Sequence, residues 1–457
     1  MVNLLLSAFS GFLLSCSFAP VHKWWLAPIA LALHIYAMQR TKHRITCAFI
    51  FALTFNLILL HWTSIYVGSK PWVILALGLA ILYLPLALVG RWGIGAYPFI
   101  FLALEELRNR FPFGGFGWGR IAYSQADAPY SQFARFGGAS GLSALVLLIA
   151  LCMYAGLNAP KHLVILAPVL ILLLPANVTQ ATPIKVLAIQ GNVPHLGLDF
   201  NARATQVFHN HVRQSAIALQ HYPNVDLLVW PENAVDVDPF TNVEVSKTLN
   251  AFSQPLLVGA ITQRGNKIFN SSLLWTKEHV FVYDKQHLTP FGEYIPLRAV
   301  ASKITALVNQ VSGFSVGTHS AIFNVKSAKI APIICYELLD DRIISQAAKS
   351  SNIFAVQTNS ATFGISPESA QQLSITRIRA IEHSRNIVSV STTGYSAEIN
   401  YEGRVVQKTQ INRASYMYAE IGLIERKSPR DWAGNWALVT IGIWLLWVAR
   451  RAGMYRR

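Results

Sequence analysis

Charge is what this sequence has least of. Only 13% of its 457 residues are Asp, Glu, Lys or Arg, while 53% are hydrophobic; an average soluble domain carries roughly 25% charged residues. A single solvated globule is therefore excluded. Part of the chain must sit in lipid, and the length leaves room for a sizeable soluble domain as well. Acids are scarcer than bases, giving a net charge of +16. Outside residues 177–433 there are 15 Lys/Arg and 3 Asp/Glu; inside that window there are 23 and 19. The excess thus flanks apolar segments, as topology signals and anionic-lipid contacts do. No soluble stretch interleaves basic and aromatic residues, so no nucleic-acid partner is expected. Cysteine is nearly absent too. Cys16, Cys47 and Cys152 lie in apolar runs and Cys335 stands alone in the polar window, which excludes a disulfide framework there. Residues 1–12 hold no basic residue, so the first apolar run is read as a retained helix, not a cleaved leader. There is no internal repeat and no low-complexity linker.

What is present in abundance is apolar runs: near 3–19, 24–39, 45–66, 71–89, 92–107, 141–157, 162–176 and 434–449. Several fall short of the ~20 residues that cross a bilayer untilted. Eight spans is the natural count, and it puts both termini on one side. With the N-terminus inside, the inner segments hold Arg40, Lys42, Arg44, Arg91, Lys161 and the tail Arg450, Arg451, Arg456 and Arg457. The short outer loops hold Lys23 and Lys70, which favours a cytoplasmic C-terminus. The outer loop 108–139 carries four Arg, partly offset by Glu105, Glu106 and Asp127.

Residues 177–433 have another character. β-rich runs recur at Ile184–Val193, Val225–Trp230, Leu256–Thr262, Ile322–Val325, Ile330–Cys335, Ile353–Thr358 and Ile387–Thr392, with helical stretches at 200–220 and 367–385. That alternation predicts one layered α/β domain, on the extracytoplasmic face by the topology above. The expected organisation is residues 1–176 as seven transmembrane helices, 177–433 as the soluble domain, and 434–457 as an eighth helix with a basic cytoplasmic tail.

Three strings in the soluble window carry chemistry. Val229-Trp230-Pro231-Glu232-Asn233-Ala234 puts a carboxylate directly after an apolar strand. Tyr283-Asp284-Lys285-Gln286-His287-Leu288-Thr289-Pro290-Phe291-Gly292-Glu293-Tyr294-Ile295-Pro296 holds an amine, and Pro332-Ile333-Ile334-Cys335-Tyr336-Glu337 a thiol. A thiolate is the reactive form of cysteine, and a nearby ammonium favours it. A carboxylate can take the thiol proton and return it to a leaving group. Singly, each has a plainer reading: Cys335 as a small buried hydrophobe, Glu232 as a helix cap, Lys285 as a solvated loop residue. Their joint occurrence favours a nucleophilic site. His287 has no paired ligand, so a hydrogen-bonding role is expected for it.

In the order Glu, Lys, Cys, these strings resemble the nitrilase superfamily and, within it, the apolipoprotein N-acyltransferases. Supporting stretches are Phe18-Ala19-Pro20 before Trp24-Trp25-Leu26-Ala27, Glu106–Trp118, and Phe136-Gly137-Gly138-Ala139-Ser140-Gly141-Leu142-Ser143. The resemblance implies an eight-helix transmembrane domain plus an extracytoplasmic nitrilase-like αββα sandwich. It implies Glu232 as general base, Lys285 as stabilising amine and Cys335 as nucleophile, with Glu293, Glu337 and Tyr336 supporting them. The implied partners are a phospholipid acyl donor, a diacylglyceryl-modified lipoprotein acceptor and membrane lipids, with no cofactor and no metal, in the bacterial cytoplasmic membrane. Asn270-Ser271 fits the pattern before the lysine loop. Asn359-Ser360-Ala361-Thr362-Phe363-Gly364 and Gln371-Gln372 depart from the best-known branch, and Gln371–Arg385 is closer to actinomycete-type members. The aromatic, glycine-rich loop 111–123 is read either as a lipid entry route or as an interfacial belt. Two rivals stand beside the transferase: a hydrolase using the same three residues, and a scaffold that kept the fold.

Overall fold

The computed structural model describes residues 1–65, 67–156, 178–193, 204–303, 313–434 and 436–454. The chain divides into two compact units, Met1–Ala176 with Ser428–Arg457, and Asn177–Lys427.

The first unit is helical. Its elements are α1 (Val2–Ser17), α2 (Leu26–Gln39), α3 (Arg44–Leu59), α4 (Ser69–Leu82), α5 (Val89–Trp92), α6 (Tyr97–Arg108) and α7 (Ala134–Gly156). Ser69–Trp92 and Ser131–Gly156 are long and apolar enough to cross a membrane, and α1, α2 and α3 are shorter apolar helices. The run at 162–176 lies outside the described residues. Close approach is built in: a Cβ on Gly11 of α1 would strike the Phe51 carbonyl of α3. The buried acids here are partnered within the unit. Glu106 accepts from Arg120 at 2.8 Å and also pairs with Arg110, and Glu105 accepts the Ile121 N–H at 2.8 Å. In loop 111–123, Phe111 and Phe113 are exposed, whereas Trp118 packs on Trp62 and Tyr123 is buried.

The second unit is a two-sheet sandwich. Its strands are β1 (Ala181–Gln190), β2 (Leu227–Val229), β3 (Leu256–Arg264), β4 (Lys267–Trp275), β5 (Val280–Asp284), β6 (Phe323–Val325), β7 (Ala328–Ile334), β8 (Ile353–Thr358), β9 (Ile387–Ser391), β10 (Ala397–Ile399), β11 (Val405–Lys408) and β12 (Ser415–Leu423). One sheet runs β12-β1-β2-β3-β4-β5, the other β11-β10-β9-β8-β7-β6. β1, β2 and β3 are mutually parallel, as are β7, β8 and β9, with antiparallel strands outside them.

Strand periodicity explains the layering. Along β1, Val186 and Ala188 enter a core shared with Ile330, Ile334, Ile353 and Val388 of the other sheet. Leu187 and Ile189 face the opposite way, into a second core with Phe208, Ala218 and Leu249 of the helices α8 (Ala204–His221) and α9 (Val243–Asn250). α10 (Arg298–Ala301) is a single turn. α11 (Asp341–Ser350) and α12 (Glu368–His383) pack on the second sheet, completing αββα layers. The short α13 (Pro429–Ala433) and the apolar α14 (Trp436–Met454) return the chain to the first unit.

The seven β runs expected from sequence correspond to β1, β2, β3, β6, β7, β8 and β9, with ends shifted by up to three residues. The five other strands carry weaker patterns. β4 contains Asn270-Ser271-Ser272, and β10 and β11 are short, with much of β11 exposed.

Candidate active site

Parallel strands of one sheet end on a common side, and the chain leaving them supplies the site. Glu232 lies three residues beyond β2, Lys285 directly after β5, and Cys335 directly after β7. Two local devices let Glu232 in. Gly259 of β3 has no side chain where a Cβ would strike the Pro231 carbonyl, and Asn233 takes the left-handed region at φ 53°. Gln357 of β8 donates to the Trp230 carbonyl at 2.7 Å and accepts from Ser272 of β4 at 2.5 Å, tying this turn across both sheets.

Lys285 is 1% exposed and sits between two buried carboxylates. Its Nζ lies 3.0 Å from Glu232 Oε1 and 2.9 Å from Glu293 Oε2. Asn270 spans the same two groups, donating from Nδ2 to Glu232 Oε1 at 2.8 Å and to Glu293 Oε1 at 2.6 Å. The Thr289 N–H adds a further bond to Glu293 at 2.7 Å. Burial works against the ammonium, but Glu232 and Glu293 outweigh it and hold the Lys285 pKa well above its ordinary value. Lys285 is therefore a fixed cation.

Cys335 opens a short 3₁₀ turn and has a left-handed φ of 47°. A non-glycine residue pays roughly 1–3 kcal/mol to stay there, so the surrounding structure must hold it. Glu337, with no exposed surface, does so. Its Oε2 accepts the Ile334 N–H at 2.8 Å, and its Oε1 accepts the Gln286 N–H and the Tyr283 hydroxyl, each at 2.7 Å. One side chain thus ties the turn carrying the thiol to the strand end carrying Lys285. Burial pushes the Glu337 carboxyl up, and the bonds from Ile334, Tyr283 and Gln286 oppose that.

Burial, then the negative charge of Glu232, pushes the Cys335 thiol well above its usual range; Lys285 opposes this, and Glu368 and Glu293 add to it. At rest the sulfur keeps its proton. Gln372 of α12 donates to it from Nε2 at 3.5 Å. Tyr336 is buried and meets the His287 ring edge-on at 5.2 Å. His287 Nδ1 lies 3.1 Å from Asp340 Oδ2, and Asp340 caps α11 by accepting the Arg342 and Ile343 N–H groups. All four cysteines are free. Among the described residues, no three His, Cys, Asp or Glu side chains cluster as metal ligands do.

Glu232, Lys285, Cys335, Glu293, Glu337, Tyr336 and His287 therefore fall in one neighbourhood, as direct neighbours or through a shared partner. Sequence reasoning read Pro367-Glu368 as a helix opening and noted Asn270 and Gln372 as family positions, but it gave no chemical role to these or to Gln357. A polar Asn-Ser-Ser run inside a strand was the available signal for Asn270; the others looked like ordinary strand or helix residues.

Residues 185–428 match the carbon-nitrogen hydrolase family, and residues 10–152 match the apolipoprotein N-acyltransferase N-terminal domain. An apolipoprotein N-acyltransferase of Mycolicibacterium smegmatis is 30% identical over 506 residues, covering 96% of this chain and 84% of the relative. The chain belongs to the apolipoprotein N-acyltransferase family. A second member, from Azotobacter vinelandii, is 28% identical over 491 residues and covers 97% and 93% of the two chains. Among solved structures, a carbon-nitrogen hydrolase superfamily protein from Xanthomonas campestris shares 15% identity at a TM-score of 0.40, covering 53% of this chain and 91% of its own. Within this apolipoprotein N-acyltransferase family member, the three strings lie in the carbon-nitrogen hydrolase match, and the helices up to Cys152 lie in the family's N-terminal match.

Proposed function

We propose that the protein transfers an acyl chain from a membrane phospholipid to the α-amino group of a diacylglyceryl-cysteine at a lipoprotein N-terminus, through a thioester on Cys335. The observation that carries this reading is a buried ammonium, Lys285, clasped by Glu232 and Glu293, with the buried Cys335 thiol near enough to feel the charges of all three. Glu232 takes the proton from Cys335 as sulfur attacks the ester carbonyl. A C–S bond forms, and Lys285 faces the oxyanion. The ester C–O bond then breaks, Glu232 returns the proton to the departing oxygen, and a lysophospholipid leaves. The free amine next attacks the thioester carbonyl. Glu232 carries a proton from nitrogen to sulfur as the C–S bond breaks, restoring the thiol. Two half-steps sharing one covalent intermediate give ping-pong kinetics.

The domain organisation belongs to the same proposal. Residues 1–176 and 434–457 form an eight-span membrane domain of the bacterial cytoplasmic membrane, and 177–433 form the catalytic domain on its extracytoplasmic face. Both substrates are lipids, and drawing an acyl chain into water costs about 0.8 kcal/mol per CH₂. A site joined to a membrane domain avoids that cost.

The test is to incubate the full-length protein, in lipid, with a phospholipid bearing an alkyne-tagged acyl chain and no acceptor. A hydroxylamine-labile label on the protein, absent from Cys335→Ala, is the expected result. No label on the folded wild type, or fatty-acid release that needs no acceptor, overturns the transfer.

A further inference from the structure

The second half-step leaves one proton without a carrier. A thioester and an ammonium give an amide, a thiol and one free proton. Glu232 moves one proton from nitrogen to sulfur and ends as it began. The other must leave the ammonium before its nitrogen has a lone pair to attack with. Lys285 is already protonated. Glu293 is engaged by Lys285, Asn270 and Thr289, and Glu337 by Ile334, Gln286 and Tyr283.

We propose that Glu368 takes this proton, receiving the acceptor's α-ammonium beside Cys335 and releasing it as the free amine. The proposal rests on the transfer reaction above. Glu368 is the first residue of α12, one helical turn before Gln372, whose amide bonds the Cys335 sulfur; residues four apart lie on the same helix face. It is 1% exposed, and its Oε2 has no hydrogen-bond partner among the described residues. The groups that bear on it are Cys335 after β7, Glu232 after β2 and the Ser360 hydroxyl after β8. No Lys, Arg or His pairs with it among the described residues. An acid in the first turn of a helix ordinarily faces solvent and favours the helix dipole, which leaves no reason to bury this one. A buried carboxyl with a vacant oxygen and no cation suits an ammonium.

Burial, with Glu232 adding to it and Ser360 opposing, pushes the Glu368 carboxyl up to about 8. A free α-amino group titrates at about 7.7–8.0. Before the acceptor arrives the carboxyl is mostly protonated. The arriving ammonium favours the carboxylate, whose proton leaves to solvent, and the carboxylate then takes the ammonium's proton at little thermodynamic cost because the two groups are matched.

The experiment separates the half-steps in full-length protein, reconstituted in phosphatidylethanolamine and phosphatidylglycerol carrying the tagged chain, with a synthetic diacylglyceryl-cysteine peptide as acceptor. In Glu368→Gln, transfer from preformed thioester at pH 7 is expected to fall at least ~100-fold more than thioester formation, the lower end of the range for a lost acid–base group. Raising the pH to 9.5 should restore most of it. Hydroxylamine, unprotonated at pH 7, should discharge the variant's thioester as fast as the wild type's. Glu368→Asp, which keeps a carboxyl, should transfer faster than the Gln variant at pH 7. Equal transfer by wild type and Gln variant across pH overturns the proposal, as does an Asp variant no better than Gln. Thioester formation slowed as much as transfer also overturns it, because Glu368 would then serve the nucleophile. Absence of thioester in the wild type instead refutes the underlying transfer reaction.

Discussion

Replacing Glu337 with Gln tests whether one buried carboxylate holds the two halves of the site in register. Gln has the same shape but donates where Glu accepts. If its oxygen takes the Oε1 position it keeps the bonds from Tyr283 and Gln286, both 2.7 Å in the wild type. Its NH₂ then meets the Ile334 N–H, which bonds Oε2 at 2.8 Å in the wild type. One charge-assisted bond is lost and a buried N–H is left without an acceptor, a loss of roughly 2–4 kcal/mol. In a unit of this size that lowers the melting temperature by roughly 5–15 °C. The site suffers as well, because Ile334 precedes Cys335 and Gln286 follows Lys285. A shift of about 1 Å between thiol and ammonium costs about 10²-fold in rate. In the proposed reaction both half-steps need both groups, so thioester formation and amine transfer should fall in the same proportion. The assay is single-turnover labelling followed by acceptor-driven discharge, alongside thermal scans at a fixed rate. A Glu337→Gln protein that melts as the wild type does and keeps both rates within about twofold, less than the smallest bond assigned here, refutes the positioning role. A loss confined to one half-step refutes it too.

Lys285→Met should leave Glu232 and Glu293 as facing buried carboxylates with no cation, at about 3–5 kcal/mol. They would then share a proton, so the variant's melting temperature should rise as pH falls from 8 to 5; a pH-independent deficit contradicts this. Gly259→Ala drives a Cβ into the Pro231 carbonyl, so Glu232 must move. A fall of about 10²-fold in thioester formation is expected with the fold retained by circular dichroism, and wild-type rates would show that the turn has slack. For Glu368 the folded pKa of about 8 stands above its ordinary 4.5. The folded state thus holds a proton that the unfolded state has released between those values, and stability contributed by the neutral acid is lost as pH rises through that window. Glu368→Gln cannot ionise, so its melting temperature should gain on the wild type from pH 5 to pH 8.5; a constant difference would mean that the carboxyl is already charged.

The parts of the fold legible in the sequence are those where burial on both faces forces a continuous apolar run. β1, β8 and β9 lie inside the sandwich with helices behind them, and their Ile-, Val- and Leu-rich segments were plain. β4 was not, because Asn270, Ser271 and Ser272 interrupt its pattern, and those side chains bond Glu232, Asp284 and Gln357. The strand was obscured by its own part in the site. The three chemical strings were legible for the converse reason: each places a polar residue at the end of an apolar strand, where local sequence alone marks the position.

Partnership across the fold leaves no such local mark. Asn270 touches Glu232 and Glu293, which are 38 and 23 residues away in the chain, and Gln372 reaches Cys335 across 37. Glu368 is the sharpest case. Beside Pro367 it reads as a helix opening, and it is one. A carboxyl used for a helix start alone belongs in solvent, where the dipole favours its charge and water solvates it. Here the same residue is buried and one oxygen has no partner among the described residues, so the helix gains little from it and the carboxyl is strained toward neutrality. Such a penalty persists where function requires it. A cation supplied by a substrate would remove that penalty only while the substrate is bound, and for this reason Glu368, not the well-satisfied Glu293 or Glu337, is the acid to test against the acceptor.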